Sequence, residues 1–324
     1  MEVLSLENDF LSVRIMPSIG GKIVSLRSVR TGEEFLLPPV NAYNRVSSSA
    51  EFSQSDRGGF DECLPSVASC ESMAGQPAVP DHGDLWRRPW QVDSQDGAIV
   101  LHAEATSRPL RLTRKASLKG ASLVLDYELL NLSNKPTSWL WSAHPLLQVT
   151  PGDRILLPED VTKVRVEYSA NDICEKGTFI DWPVTNSPPD LSLDLSKVRE
   201  RDGITAHKLY ARVESEGWAA LYRGAIKQGI VVQFDEKKLP FLGLWICLGA
   251  WPDSGVKKQY SVALEPTTSN YDSLAAAIEN GTAPVLAPRG RSRWQLVIHL
   301  FGASEPIDFD RFRGSAKSRI RPNA

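Results

Sequence analysis

Three short segments of the sequence carry side chains that are suited to moving protons. His82 lies in Asp-His-Gly, His144 precedes a proline, and Glu265 lies in Ala-Leu-Glu-Pro. Imidazole and carboxyl groups are the usual general acids and bases near neutral pH, and burial or a neighbouring charge tunes their pKa values. The three segments therefore predict acid–base chemistry if the fold brings them together.

Each of these residues also has a purely structural interpretation. A loop histidine such as His82 is commonly only solvated, and a strand histidine such as His144 can pack in the core against a backbone carbonyl. Glu265 can be an exposed residue at a sheet edge. Two histidines and one carboxylate are also a metal-ligand set, and the spacing alone does not separate that use from acid–base catalysis.

Strand alternation gives two of these side chains a direction. In segment 139–145, His144 points away from the face that carries the two tryptophans. In segment 260–266, Glu265 shares its face with a serine and an alanine, and small neighbours predict an open face. A proline follows both residues, which is typical of a strand end or edge beside a cleft.

The elements that must position these residues are β-strands. Alternating or β-branched runs recur at 11–16, 99–103, 110–118, 122–130, 138–144, 164–168, 209–213, 219–222, 229–235, 241–248, 258–265 and 293–301. Turn-forming residues separate them and favour antiparallel connections. The predicted fold class is all-β, a large antiparallel β-super-sandwich. One short helix is predicted at 271–279 with Ser269 as its N-cap, and segment 40–80 is predicted to form long loops.

Length and composition limit the organisation and the partners. The 324 residues, 42% of them hydrophobic, predict one domain over 1–313 and a flexible basic tail over 314–324. The 37 basic and 39 acidic residues nearly cancel, so no nucleic-acid or membrane partner is expected and a small neutral ligand fits better. We expect a monomer or homodimer.

The first residues and the cysteines indicate the compartment. The N-terminus lacks the basic and apolar pattern of a secretory signal, which predicts a cytoplasmic protein. Four cysteines without a Cys-x-x-Cys pair favour reduced structural thiols over a zinc ribbon or a disulfide scaffold.

Taken in order, DHG at 81–83, HP at 144–145 and ALEP at 263–266 resemble the aldose 1-epimerase, or galactose mutarotase, family. The opening segment 6–36 is similar to the first hairpin of that family, and 56–62 is similar to the segment that precedes its first histidine. The final helix and strand fit as well, so the resemblance covers nearly the whole chain.

The resemblance implies a concave sheet face that binds a monosaccharide or sugar phosphate, with no cofactor and no metal. It implies that Glu265 is the general base at the anomeric hydroxyl and that His144 is the general acid at the ring oxygen. His82 would bind sugar oxygens. The resemblance implies an aldose 1-epimerase that interconverts α and β anomers by ring opening.

Further substrate-binding residues follow from the same resemblance. Asp235 matches the sugar-binding aspartate, with Asp253 as the competing position. Arg57 is the first choice for the sugar-contacting arginine, with Arg87 and Arg45 as alternatives. Trp86 and Trp251 follow the motif loops and are suited to stacking on a sugar face.

Two other classes of function remain open on the sequence. The fold can serve as a non-catalytic carbohydrate-binding or regulatory module, because fold does not fix function. The two histidines and the glutamate can instead serve a metal-dependent sugar isomerase or hydrolase.

Overall fold

The computed structural model describes residues 1–47, 49–72, 75–186, 192–255 and 257–302, and strands dominate it. The strands are β1 Leu4–Glu7, β2 Leu11–Met16, β3 Lys22–Ser28, β4 Phe60–Cys63, β5 Gln91–Ser94, β6 Ile99–Glu104, β7 Leu110–Lys119, β8 Ser122–Asn131, β9 Thr137–Ser138, β10 Ser142–Leu147, β11 Arg154–Leu156, β12 Lys163–Ser169, β13 Phe179–Asp181, β14 Val184–Thr185, β15 Leu193–Asp194, β16 Ala206–Arg212, β17 Trp218–Arg223, β18 Gln228–Phe234, β19 Phe241–Leu248, β20 Tyr260–Thr267, β21 Val285–Leu286 and β22 Arg291–Gly302. Short 3-10 turns lie at Pro17–Ile19, Phe52–Gln54 and Ala170–Asp172.

Two large antiparallel sheets pack face to face. The first has ten strands in the order β1-β2-β3-β4-β10-β20-β19-β16-β12-β13, and the second has eight in the order β11-β17-β18-β22-β8-β7-β6-β5. Alternate apolar side chains of both sheets meet in one buried core. The predicted all-β sandwich is therefore confirmed.

The α-helix among the described residues, α1 Leu274–Glu279, is shorter than predicted. Its N-cap position is Ser273 rather than Ser269. The preceding residue, Asp272, explains the difference: its carbonyl accepts hydrogen bonds from Val67 and Ala68, and its carboxylate accepts one from Tyr210. These long-range bonds hold the backbone out of the helix.

Segment 40–80 is not purely loop, contrary to the prediction. β4, with the sequence Phe-Asp-Glu-Cys, lies inside the ten-stranded sheet between β3 and β10. Its four residues are all buried, although two of them are acidic. Buried acidic residues give no strand pattern, because the periodicity argument counts only apolar side chains.

One of those acids, Glu62, joins the two sheets beside the strand that carries His144. It accepts hydrogen bonds from Arg114 and Tyr127 of the eight-stranded sheet at 2.9 Å each, and from the indole of Trp141 at 3.0 Å. All four side chains are buried. A buried hydrogen-bond network of this kind fixes the spacing of the sheets and hence the floor of the face above it.

Two features concern the ends and the surface of the chain. No helix in the described ranges is both long enough and apolar enough to cross a membrane. Residues 303–324, which include the predicted tail at 314–324, lie outside the described residues, so the domain bounds stay a prediction.

Candidate functional site

The predicted acid–base residues lie side by side on the outer face of the ten-stranded sheet. The β10–β20 register pairs Ser142 with Thr267 and Leu146 with Ala263, which places His144 beside Glu265. On its other side, His144 pairs with Asp61 of β4. Directly opposed residues of neighbouring strands have Cβ atoms about 5 Å apart. The sheet register alone therefore brings the histidine and the glutamate together.

A cavity of about 420 Å³ opens over this face, and both residues line it. That volume lies in the range of small-molecule pockets, roughly 300–1,000 Å³. The cavity is also lined by His82, Lys208, Trp251 and Asp253. Sequence positions from 52 to 272 thus converge on one concave site.

Glu265 is completely buried, and one of its two carboxylate oxygens is held by a hydrogen bond. Its Oε2 atom accepts a hydrogen bond from the ammonium of Lys208, while Oε1 has no partner among the described residues. Burial raises the pKa of Glu265, and the charge of Lys208 opposes that rise. The arrangement leaves one carboxylate oxygen free to take a proton.

A glycine makes room for this ion pair. Gly243 of β19 is paired with Glu265, and a Cβ atom there would lie 3.2 Å from both Glu265 Oε2 and Tyr210 Cε1. Such a contact is tighter than normal packing allows, so a side chain at this position would push on the carboxylate. The glycine therefore helps to set the position of Glu265.

Lys208 is itself buried between two carboxylates. Its ammonium lies 4.0 Å from Asp272, in addition to its bond to Glu265, and Tyr210 donates to Asp272 at 2.5 Å. Burial alone would lower the pKa of Lys208, but Glu265 and Asp272 outweigh it and the pKa is raised. Lys208 is therefore a fixed positive charge at the floor of the cavity.

His144 is buried and kept neutral by its surroundings. Burial lowers its pKa well below the usual 6.5, and the positive charges of His82, Lys208 and Lys22 act in the same direction. Its Nδ1 atom has no hydrogen-bond partner among the described residues. The imidazole is thus available for proton exchange with a bound ligand.

The loop with His82 closes over one end of the cavity. His82 has a left-handed backbone with φ 56°, and its Nδ1 lies 2.8 Å from Asp81 Oδ1. The next residue, Gly83, lies so close to the Leu64 carbonyl that any Cβ there would overlap it. The His82 ring stacks on Phe52 with centroids 4.1 Å apart and lies 5.0 Å from the His144 ring. The loop therefore presents His82 beside His144.

Aromatic side chains form another wall. Trp251 contacts Trp245 edge to face at 5.7 Å, and Trp245 stacks near Tyr168 at 6.1 Å. The indole of Trp245 donates to Gln259 at 2.7 Å. Flat rings with adjacent polar groups suit the apolar face and hydroxyl edge of a sugar. The structure thus brings Trp251 to the cavity, as the sequence predicted.

Three predicted binding residues do not line this cavity, namely Trp86, Asp235 and Arg57. Trp86 is buried behind Phe52, which it contacts edge to face at 5.3 Å, and its indole donates to the Asp81 carbonyl. Asp235 is exposed just after β18 in the other sheet, where its carboxylate accepts from the Lys237 amide. The competing aspartate, Asp253, is the one that lines the cavity.

The three candidate arginines also separate in the structure. Arg57 is buried with its guanidinium 6.0 Å from the Trp251 ring, although it is not part of the cavity wall. Arg87 instead donates to the Asp81 carbonyl and packs on Trp86, while Arg45 is exposed. Of the three, Arg57 is the one in contact with the aromatic wall of the cavity.

Sequence reasoning missed several cavity residues, above all Lys208. It lies in β16, where the run Ala-His-Lys-Leu-Tyr-Ala-Arg gives no motif. A signal was available, because Lys208 and Tyr210 share one strand face, and polar residues on the same face as a predicted active-site row indicate a site rather than a core. The missed aromatics Phe52 and Trp245 carried no separate signal.

The alternative that these residues bind a metal ion can be tested against the positions of the side chains. Within the described ranges, no three side chains of histidine, cysteine, aspartate or glutamate converge as a set of metal ligands. None of the four cysteines forms a disulfide with another described residue, and three of them are buried. The cavity residues are arranged around an ammonium–carboxylate pair instead.

No family model matches the sequence, and no curated protein matches it either. Solved structures do match. A candidate aldose 1-epimerase from Klebsiella pneumoniae aligns with a TM-score of 0.70 at 16% identity, covering 98% of this chain and 83% of that one.

Two further solved structures align with this chain over almost their whole length. A candidate aldose 1-epimerase from Escherichia coli K12 has a TM-score of 0.69 at 16% identity, covering 93% of this chain and 99% of that one. A galactose mutarotase related enzyme from Lactobacillus acidophilus has a TM-score of 0.69 at 16% identity, covering 94% and 99%. This chain has the galactose mutarotase-like fold. At such low identity the galactose mutarotase-like fold is what these structures share with it, and activity must be argued from the site.

Proposed function

We propose that the protein is an aldose 1-epimerase that interconverts the α and β anomers of a sugar by acid–base ring opening. The observation that carries the proposal is the pair Glu265 and His144. They lie in register on neighbouring strands at the floor of a cavity, and each has a polar atom without a partner among the described residues.

The reaction follows from these two groups. Glu265 Oε1 takes the proton of the anomeric hydroxyl, and His144 gives a proton to the ring oxygen as the bond from C1 to that oxygen breaks. The aldehyde then rotates about the C1–C2 bond. Reclosure on the other face returns the proton from Glu265 to the new anomeric oxygen and the ring proton to His144. No net proton or electron is consumed.

Lys208 has a defined part in this scheme. By holding Glu265 Oε2, it keeps the buried carboxylate ionised and directs Oε1 to the ligand. His82 and Trp251 line the same cavity and bind the sugar through an imidazole hydrogen bond and ring stacking. Well-placed acid–base groups contribute about 10²- to 10⁴-fold in rate.

The competing hypothesis of a non-catalytic carbohydrate-binding module does not explain why these groups are buried. A binding module gains nothing from a buried, ion-paired glutamate beside a buried neutral histidine, because burying such groups is costly. An enzyme needs them at the reacting atoms. Catalysis is therefore the better account of the buried pair.

Polarimetry of freshly dissolved α-D-glucose and α-D-galactose tests the proposal. We expect the wild type to accelerate the approach to equilibrium, and we expect Glu265→Gln and His144→Asn to lose about 10²-fold or more of that acceleration. Asp235→Asn is the matched control, because this exposed residue lies outside the cavity, and it should keep full activity. No acceleration by the wild type with neutral or acidic aldoses would reject the proposal.

A further inference from the structure

Arg57 differs from the buried cations Lys22, Arg114 and Lys208. It is 5% exposed, and its Nε and Nη1 atoms have no hydrogen-bond partner in the described part of the chain. Lys22, Arg114 and Lys208 are buried to the same degree, and each has a carboxylate within 3.0 Å. Arg57 forms no ion pair with any described residue. Its positive charge is therefore uncompensated.

Such an arrangement is unfavourable without a ligand. Burial lowers the pKa of Arg57, and the one ionisable neighbour that opposes this effect is Cys247, which is not a carboxylate. The backbone of Arg57 also has a left-handed φ of 51°, which is uncommon for a residue other than glycine and clusters at functional sites. Desolvated charge and local strain at one residue indicate that its partner comes from outside the chain.

The surroundings of Arg57 offer further unused donors. Arg57 contacts the Trp251 ring, and Trp251 lines the cavity together with Gln259. The Nε2 atom of Gln259 and the hydroxyl of Ser261 are buried and have no partner among the described residues. Unsatisfied donors are rare in native interiors, so three side chains with such donors near one cavity wall indicate an acceptor-rich ligand group.

The distance to the reacting residues fits a sugar. Ser261 and Glu265 point to the same face of β20 and are four residues apart, which is about 13 Å along a strand. A small residue, Ala263, lies between them. A pyranose ring with a charged group on its exocyclic carbon, met by a long arginine side chain, spans that distance.

We propose that Arg57 binds an oxyanion of the substrate, so that the substrate is an acidic aldose with its charged group at the end distant from the anomeric carbon. The planar guanidinium binds carboxylate, sulfonate and phosphate in the same forked geometry. The inference rests on the proposed function, because it assumes that the anomeric carbon lies at Glu265.

The rim of the cavity beside Tyr168 supports one orientation. Asp172 and Asp253 are exposed there, and both raise the pKa of Tyr168, after the larger effect of burial. Lys258 donates to the backbone carbonyl of Asp253 and not to its carboxylate. Two carboxylates repel an oxyanion from this rim, so the charged group of the substrate lies toward Arg57.

Calorimetric titration with sugars that lack an anomeric hydroxyl tests binding apart from catalysis. The probes are 1,5-anhydro-D-glucitol and its derivatives with a 6-phosphate, a 6-carboxylate or a 6-sulfonate. We expect at least one anionic derivative to bind about 10- to 100-fold more tightly than the neutral sugar, as charge-assisted hydrogen bonds do. The derivative that binds best identifies the oxyanion.

Two variants separate ligand binding from a structural role. Arg57→Met should lose the preference for the anionic derivative, and its ligand-free unfolding temperature should equal or exceed that of the wild type, because an uncompensated buried charge is removed. Arg114→Met is the matched control. It should lower the unfolding temperature, because it leaves Glu62 buried without its ion-pair partner.

Either of two results would overturn the inference: equal binding of the neutral and all anionic derivatives, or an Arg57→Met variant that is destabilised as Arg114→Met is. Tight binding of an anionic derivative by a protein that epimerises no aldose would support the oxyanion site and reject the proposed epimerase. Epimerisation of neutral aldoses with no preference for acidic ones would support the proposed epimerase and reject the oxyanion site.

Discussion

Replacing Lys208 by methionine should change the pH dependence of activity in a specific way. Glu265 is completely buried, and Lys208 is the cation that compensates its charge. Removing one partner of a buried ion pair costs about 3–5 kcal/mol. At 1.36 kcal/mol per unit, this corresponds to a rise of roughly 2–4 units in the pKa of Glu265. The pKa of His144 should also rise, because Lys208 lowers it in the wild type.

The active form needs Glu265 ionised and His144 protonated. Once the pKa of Glu265 exceeds that of His144, this form becomes a minor species, and its maximum lies midway between the two pKa values. We therefore expect the largest kcat/KM of Lys208→Met to fall about 10- to 100-fold and the pH optimum to move up by about one to two units. At pH values above both pKa values, Glu265 is ionised in both proteins, and the higher pKa of His144 in the variant gives it the larger protonated fraction of His144. The deficit of Lys208→Met should therefore disappear at high pH.

The assay is polarimetric kcat/KM across pH, with Lys163→Met as the control. Lys163 lies in β12, next to the strand of Lys208, but its side chain is 65% exposed and its partner Asp181 is 4.0 Å away. Exposed pairs contribute little, about 0–1 kcal/mol, so this variant should match the wild type. A loss in Lys208→Met that is equal at every pH, or no loss at all, would refute the reasoning.

Two further predictions concern the same pair of residues. Because burial holds the pKa of His144 well below 6.5, its protonated form is minor at pH 7. In the proposed reaction, kcat/KM of the wild type should therefore rise as pH falls from about 8, until protonation of Glu265, whose pKa is raised by burial, outweighs the gain; a profile that is flat from about pH 8 to pH 5 would contradict this. Gly243→Ala should displace the carboxylate of Glu265 and reduce kcat about 10- to 100-fold, since small misplacements at a reacting group are costly. Circular dichroism should show a folded Gly243→Ala protein, and unchanged kinetics would show that the glycine is not needed.

The sandwich, and the strand faces on which His144 and Glu265 lie, could be predicted from the sequence because both depend on local patterns. Alternation in β10 and β20 determines which way His144 and Glu265 point, and apolar runs mark most of the strands. β4 could not be predicted, because its acids are neutralised by Lys22 and Arg114 from distant parts of the chain.

The remaining site residues depend on tertiary structure in the same way. Lys208 approaches Glu265 only after β16, β19 and β20 pair, so its own segment indicates a polar strand face but not the partner that the lysine meets. Asp235 was chosen because it precedes a Leu-Pro pair, but it follows a strand of the other sheet. The unpaired charge of Arg57 can be recognised only once every neighbour is in place.

The most direct test of the central claim is two-dimensional exchange NMR of an equilibrium mixture of anomers, since it measures anomer interconversion without any coupled reaction. The panel should include glucose, galactose, glucuronate and glucose 6-phosphate. We predict cross peaks between the α and β anomeric protons with the wild type for at least one of these sugars, and their loss with Glu265→Gln. Exchange no faster than in buffer for every sugar, or undiminished exchange with Glu265→Gln, would contradict the account.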